Sequence, residues 1–210
     1  MRRLTLVAVL VVFASVVPAQ AQAPKIGLIG GANLTNLRIT DSAGPPTDIY
    51  HGQVVPDVGA TLTSQIFNRF AVRAELTWLQ KGQTVSQKVF GIPASLDLSY
   101  FEIPLLAVFD LKGGSIRPYV LGGPSVGLLL GAYQHYDGDT QDLQFSQDIK
   151  QFFNAVDFSL VGGAGVGWVL PRSRVFIETR YMGGLTNIEI NPTRVMKTRG
   201  LQFMIGVTAR

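Results

Sequence analysis

Six charged residues lie on or near the polar faces of strand-like segments in the middle of the chain. They are Arg73, Glu75, Glu102, Arg117, Glu178 and Arg180. Opposite charges enclosed in a barrel must pair, because an unpaired ion in a dry interior is strongly destabilising. The interior of an eight-stranded barrel is just wide enough to be filled by side chains. We therefore predict a structural network of salt bridges in the lumen, and a path for protons or ions is the alternative.

Two histidines, His51 and His135, offer a different chemistry, because acidic residues lie near each of them in expected loops. A hydrolase or acyltransferase site needs a nucleophile, a histidine and an acid that converge. Ser42 and Ser146 are the candidate nucleophiles. No sequence spacing supports that arrangement, so we predict solvated histidines and no catalytic residue.

The sequence predicts no metal site and no cofactor. It contains no Cys, and its glycine-rich stretches do not have the spacing of nucleotide-binding loops. Residues 136–142 are similar to a calcium-binding loop but lack its closing glutamate. A solvated loop is the expectation there.

The longest expected loop, residues 132–156, ends with Phe152 and Phe153 among polar residues. Exposed aromatic side chains on a polar loop can anchor a partner, but they can equally fold onto the rim of the barrel. Both outcomes stay open, and Phe152 and Phe153 are the candidate partner-binding residues.

Apolar and polar residues alternate with period two along most of the 210 residues, which predicts eight β-strands. The segments are residues 25–34, 54–66, 70–79, 96–111, 116–131, 157–170, 174–185 and 198–209. Each is about as long as a strand tilted across a bilayer. The links alternate between short and long: short at 67–69, 112–115 and 171–173, long at 35–53, 80–95, 132–156 and 186–197. This pattern predicts an eight-stranded antiparallel up-and-down transmembrane barrel.

The apolar faces of these strands are expected to point outwards, towards lipid. In the third segment apolar side chains alternate with Arg73 and Glu75, and in the fourth we predict that Tyr100 and Glu102 point inwards. A soluble barrel would need charge along its exterior, whereas all six lysines lie at expected strand ends or in links. A positive mean hydropathy of +0.26 agrees with a lipid-facing exterior.

The N-terminus predicts export. Arg2 and Arg3 precede the apolar run 4–17 and an Ala-x-Ala cleavage site at 19–21, so residues 1–21 are predicted to be a signal peptide. Residues 22–210 then form the barrel domain. Removal of the two arginines lowers the net charge from +4 to +2, and the remaining basic residues are scattered. A nucleic-acid partner is therefore not expected.

An ordered set of short motifs resembles a known family. The motifs lie at 30–34, 75–82, 100–106, 117–124, 163–165 and 178–188. Together they resemble the PorT-like outer-membrane β-barrel domain family of Gram-negative envelopes. The resemblance implies an eight-stranded barrel in the outer membrane, with membrane lipid and the barrel-assembly machinery as partners. The member that gives the family its name is tied to protein secretion.

Four hypotheses for the function follow. We expect a non-enzymatic outer-membrane protein that is structural or binds a partner through its external loops. An accessory role in secretion is part of this hypothesis. A channel for small solutes, an enzyme at the outer rim, and a soluble exported barrel that binds an apolar ligand are the alternatives.

Overall fold

Nearly all of the described chain forms long β-strands. The computed structural model describes residues 23–41, 50–89, 92–137, 144–190 and 194–209. Its strands are β1 (Lys25–Asp41), β2 (Tyr50–Phe67), β3 (Phe70–Val89), β4 (Ile92–Asp110), β5 (Ile116–Asp137), β6 (Gln144–Asp148), β7 (Val156–Val169), β8 (Ser173–Gly184) and β9 (Arg194–Ala209). A short 3-10 helix spans Lys150–Phe152. No helix within these ranges is long and apolar enough to cross a membrane.

Eight of the strands close into a barrel. Going round it, the order is β4-β3-β2-β1-β9-β8-β7-β5, and β5 pairs again with β4. Every pairing is antiparallel, including the closing pair of β1 with β9. The short strand β6 pairs with residues 133–137 of β5, beyond the stretch of β5 that pairs with β7, and is not one of these eight strands. The predicted eight-stranded antiparallel barrel is confirmed.

The two ends of the barrel differ. At one end, here called the short-turn end, the strands are joined by residues 68–69, 111–115 and 170–172. In the second of these turns Gly114 adopts a φ of +117°, a conformation that favours glycine. The opposite end is called the long-loop end. There the predicted link 80–95 is wrong, because β3 continues to Val89 and pairs with β4 down to Ile92. The prediction ended both strands where the apolar residues ended, but backbone hydrogen bonds carry a hairpin beyond its apolar band.

The outer surface of the barrel is apolar. Ile26 and Val54, for example, are 67% and 68% exposed, although both are large hydrophobic residues. Phe101 and Ile103 point outwards, and Tyr100 and Glu102 are buried in the lumen as predicted for β4. An apolar exterior of this extent is not found on ordinary soluble proteins. It is the reverse of a soluble barrel that binds an apolar ligand in its interior.

Side chains fill the lumen in layers. An apolar cluster near the short-turn end includes Leu106, Tyr119 and Phe176. A second, near the long-loop end, includes Leu98 and Ile188. Charged and polar residues occupy the space between these layers, so side chains fill the middle of the lumen.

Candidate functional site: the charged lumen and the outer rim

Four charged side chains from β3 and β8 meet in the lumen and form the cross-lumen cluster: Arg73, Glu75, Glu178 and Arg180. Arg180 donates to both carboxylate oxygens of Glu75 at 2.7 Å, and it also contacts Glu178. Arg73 donates to the two oxygens of Glu178 at 3.0 and 3.1 Å. The Tyr119 hydroxyl donates to Glu178 at 2.7 Å. The cluster thus joins the two walls with two balanced pairs of charges.

The positions of β3 and β8 explain how these pairs span the lumen. In the ring of eight strands, β3 and β8 are four places apart in either direction, so they face each other. Along each strand the two charges are two residues apart and share the inward face. All four side chains are buried. Because the cluster contains as many carboxylates as guanidiniums, each charge finds a partner away from water.

A second group, the upper cluster, lies nearer the long-loop end and comprises Lys81, Glu102 and Asp157. The ammonium of Lys81 lies 2.5 Å from a Glu102 oxygen and 3.1 Å from an Asp157 oxygen. Thr186 and Thr198 donate their hydroxyls to Asp157 at 2.8 and 2.9 Å. Two carboxylates therefore share one buried ammonium, and neighbouring hydroxyls satisfy part of the remaining charge.

Asp57 is a further buried carboxylate of the lumen. It accepts a hydrogen bond of 2.9 Å from the side chain of Gln202. Within the described ranges its other oxygen has no hydrogen-bond partner, and no cation lies within salt-bridge distance. Asp57 is therefore less well compensated than the carboxylates of either cluster.

Residues 149–154, here called the rim platform, cover part of the long-loop end. Phe153 is 9% exposed and packs into the apolar cluster with Ile188, and its backbone bridges to Glu189. Phe152 is 54% exposed. Its carbonyl accepts the N–H of Ile190 at 3.0 Å, which fixes the backbone. Of the two candidate anchors, one folds inwards and the other stands on an ordered backbone at the surface.

Three polar side chains are in contact on the outer face of neighbouring strands at the long-loop end. His135 on β5 lies between Asp97 on β4 and Ser146 on β6. The distances are 2.6 Å from His135 Nδ1 to Ser146 Oγ and 3.2 Å from His135 Nε2 to Asp97 Oδ2. Sequence spacing did not show this arrangement, because it depends on the pairing of three strands. Asp97 and His135 are both partly exposed to water.

The carboxylates and histidines of the described ranges do not come together as a metal site. No group of three or more His, Cys, Asp or Glu side chains there has the placement to hold a metal ion.

A charged lumen inside an apolar exterior agrees with the comparisons to known proteins. Residues 19–189 match the outer membrane protein beta-barrel domain family. The chain belongs to that family. The match supports the eight-stranded outer-membrane barrel, while the finer PorT-like resemblance stays a prediction.

Solved structures of outer-membrane barrels are similar in fold. The outer membrane protein OprG from Pseudomonas aeruginosa is 15% identical with a TM-score of 0.53, over 90% of this chain and 96% of that one. Neisserial surface protein A is 13% identical with a TM-score of 0.48, over 89% and 97%. Ail of Yersinia pestis is 14% identical with a TM-score of 0.44, over 90% and 99%. No curated protein matches the sequence.

Membership of the family fixes the surroundings of this outer-membrane barrel. The apolar exterior faces lipid, since barrels of this type alternate lipid-facing apolar residues with inward polar ones. Short turns of such barrels face the periplasm and longer loops face the exterior. The rim platform therefore belongs to the outer side and the 68–69, 111–115 and 170–172 turns to the periplasmic side.

The structure separates the six charged residues predicted for the lumen. Arg73, Glu75, Glu102, Glu178 and Arg180 are buried there. Arg117 instead lies at the short-turn end, partly exposed, with its guanidinium 3.5 Å from Asp110. That these residues serve a structural role stays a prediction.

The prediction that every lysine lies at a strand end or in a link is wrong for Lys81. Its side chain is buried in the lumen. The alternation Glu75, Thr77, Leu79, Lys81 would have indicated this, because residues two apart share a face. The prediction ended the strand at Leu79, where the apolar pattern stops.

Other predictions fall outside the described residues. These are the signal peptide (1–21), Ser42, most of the segment 136–142 and the side chain of His51.

Proposed function

We propose that this protein is a closed, non-enzymatic scaffold in the outer membrane that presents its outer rim to a protein partner. The observation that carries the proposal is Phe152, a large apolar side chain held at the surface by an ordered backbone while the neighbouring Phe153 is buried in the apolar cluster of the long-loop end. Aromatic anchors of this kind dominate the energetics of protein interfaces.

The packing of the lumen supports a scaffold over a channel for small solutes. A solute would have to pass the apolar cluster that contains Phe153, then the upper cluster, then the cross-lumen cluster. Separating the charges of either cluster exposes unpaired ions in a confined space, which is strongly unfavourable. Recordings of the purified protein in planar lipid bilayers should show no single-channel steps. Regular steps from the wild-type protein would contradict a closed barrel.

The fixed backbone of the rim platform supports a binding role for Phe152. The Asn154 side chain donates to the carbonyls of Asn187 and Glu189 at 2.9 and 3.3 Å. The platform is thus tied to the link between β8 and β9. A partner that binds a preordered surface loses less conformational entropy than one that must order a loop.

Photo-crosslinking in intact cells tests the partner. A photoreactive phenylalanine analogue is placed at position 152, and at position 158 as the control, because Phe158 is equally apolar and faces lipid. We expect a discrete protein adduct from position 152 and none from position 158. Adducts from neither position, or the same adduct from both, would contradict a rim-binding partner. Heat-modifiability on gels shows that both variants are folded.

An accessory role in secretion rests on the PorT-like resemblance. If it holds, the adduct from position 152 contains a component of a secretion system. An adduct with an unrelated surface protein would agree with the scaffold proposal but contradict a role in secretion. The barrel-assembly machinery, by contrast, is expected to act on the protein only during insertion.

A second candidate, a hydrolase at the outer rim, is favoured by the contacts of His135 with Ser146 and Asp97. A nucleophile, a base and an orienting acid are the parts that acyl transfer needs. Hydrolysis of p-nitrophenyl acyl esters by the folded protein tests it. Activity lost in Ser146→Ala and His135→Ala, but kept in Ser95→Ala on the same face, would establish the hydrolase. Absence of activity in the wild-type protein would exclude it for these esters and favour the scaffold.

A further inference from the structure

A cavity of about 460 Å³ opens at the short-turn end, inside the ring of strands. We call it the periplasmic mouth. Four cationic residues line it, namely Lys25, Arg73, Arg117 and Arg174, and no Asp or Glu does. Its volume lies in the range of sites that bind small molecules.

The charges around the periplasmic mouth do not balance. Asp110, buried on the inward face of β4, accepts a bidentate pair of bonds from Arg174 at 2.8 and 3.2 Å and lies 3.5 Å from Arg117. One carboxylate thus compensates the charge of two guanidiniums. Lys25 has no acidic partner among the described residues. The mouth therefore carries positive charge that the described chain leaves unmatched.

The short turns around the mouth add to this charge. Arg69, Lys112 and Arg172 lie in them and are exposed. Arg73 is already paired with Glu178 in the cross-lumen cluster. Among the described residues of this end, Asp110 is the acid that faces the other lining cations and the cations of the turns. A one-signed field around a concave opening attracts and orients ligands of the opposite sign.

The deeper wall of the mouth contains polar groups that lack partners. Arg73 Nε and Thr63 Oγ1 are buried without a hydrogen bond within the described ranges. Gln65 and Thr208 also line the cavity. Buried polar groups in native proteins are nearly always hydrogen-bonded. An oxygen atom of a bound ligand would supply the acceptor that Nε of Arg73 lacks.

We propose that the periplasmic mouth binds a carboxylate-rich peptide segment of a periplasmic protein. The bidentate pair of Arg174 with Asp110 shows that one guanidinium here already binds a carboxylate in the geometry that carboxylates require. The volume exceeds the needs of one small anion. Membrane lipid does not fit as the occupant, because headgroups surround the barrel whereas this cavity lies within the ring of strands.

Peptide binding to the full-length protein in zwitterionic detergent tests this proposal. The probe is a fluorescent peptide of alternating Asp and Glu, and its Asn and Gln counterpart is the control. We expect the acidic peptide alone to bind, with an affinity that falls as salt increases. Loss of two cationic contacts, in Lys25→Gln with Arg117→Gln, should weaken binding by about tenfold or more. Lys25→Gln alone serves if the double variant does not fold.

A matched charge change distinguishes peptide binding at the mouth from attraction of the peptide to the net charge of the whole protein. Arg199→Gln removes an exposed cation near the opposite end, and it should leave the affinity unchanged. An equal loss of affinity in Arg199→Gln would overturn the proposal, as would unchanged binding in the mouth variants. Inorganic phosphate that binds as tightly as the acidic peptide would overturn the assignment to a peptide.

Discussion

Lys81 on β3 and Asp157 on β7 form an ion pair across the lumen, with Nζ 3.1 Å from Oδ2. Both side chains are buried, and Glu102 shares the same ammonium. Two carboxylates on two different strands, β4 and β7, therefore depend on a cation from β3. The charge of Lys81 connects three walls of the barrel.

We expect Lys81→Met to be strongly destabilising. The variant leaves Glu102 and Asp157 buried without their cation, and breaking a buried pair costs about 3–5 kcal/mol. Urea unfolding of the protein in lipid vesicles measures the change. Lys112→Met, at an exposed lysine in a short turn, is the control and should alter the unfolding free energy little. Equal stability of the two variants would contradict the role of Lys81.

Arg180 and Glu75 should be energetically coupled. Their two hydrogen bonds of 2.7 Å span opposite walls, so removal of either partner takes away the other's bidentate ion pair. A double-mutant cycle with Arg180→Met and Glu75→Gln is expected to give a coupling energy of about 2 kcal/mol. Additive effects of the two substitutions would mean that the pair contributes nothing specific.

Asp57→Asn should stabilise the barrel, by roughly 1–3 kcal/mol, since it removes a buried charge that has no cation of the described ranges within salt-bridge distance. The asparagine oxygen can still accept the hydrogen bond from Gln202. The measurement is again the midpoint of unfolding in urea. Asp148→Asn changes an exposed carboxylate and should have almost no effect. A less stable Asp57→Asn would show that the charge itself is needed.

Gly163 and its neighbour Gly162 should respond differently to alanine. A Cβ at Gly163 would clash with the Thr179 carbonyl and lie 2.9 Å from Arg180 Cα, whereas at Gly162 it meets nothing within 4 Å. Gly163→Ala should destabilise by about 1–3 kcal/mol through overpacking. Gly162→Ala should be neutral or slightly stabilising. Thermal unfolding followed by heat-modifiability on gels compares them directly.

Much of the fold is predictable from the sequence, because a strand that faces lipid on one side and a filled lumen on the other must alternate in polarity. That rule places Glu102 inside and Phe101 outside, as observed. It fails for Lys81, because beyond the apolar band the exterior no longer needs apolar residues and the pattern fades while the strand continues.

The candidate sites were less predictable, because they depend on contacts between distant segments. His135 and Ser146 meet only because β6 pairs with β5, and neither strand pairing nor register is visible in local composition. Arg117 was assigned to the lumen because the alternating pattern of its strand places it on the inward face. Its height along the barrel, which places it at the periplasmic mouth, depends on the register of β5 with β4.

The cross-lumen cluster also bears on the order of events in folding. Arg73 with Glu178, and Arg180 with Glu75, join residues 105 positions apart in the chain. Strand pairing can proceed hairpin by hairpin, but these bonds require both walls to face each other, which happens only when β1 meets β9. They are thus expected to be absent from the transition state for folding, so their removal should accelerate unfolding and leave the folding rate nearly unchanged. We therefore expect the cluster to slow the unfolding of the closed barrel.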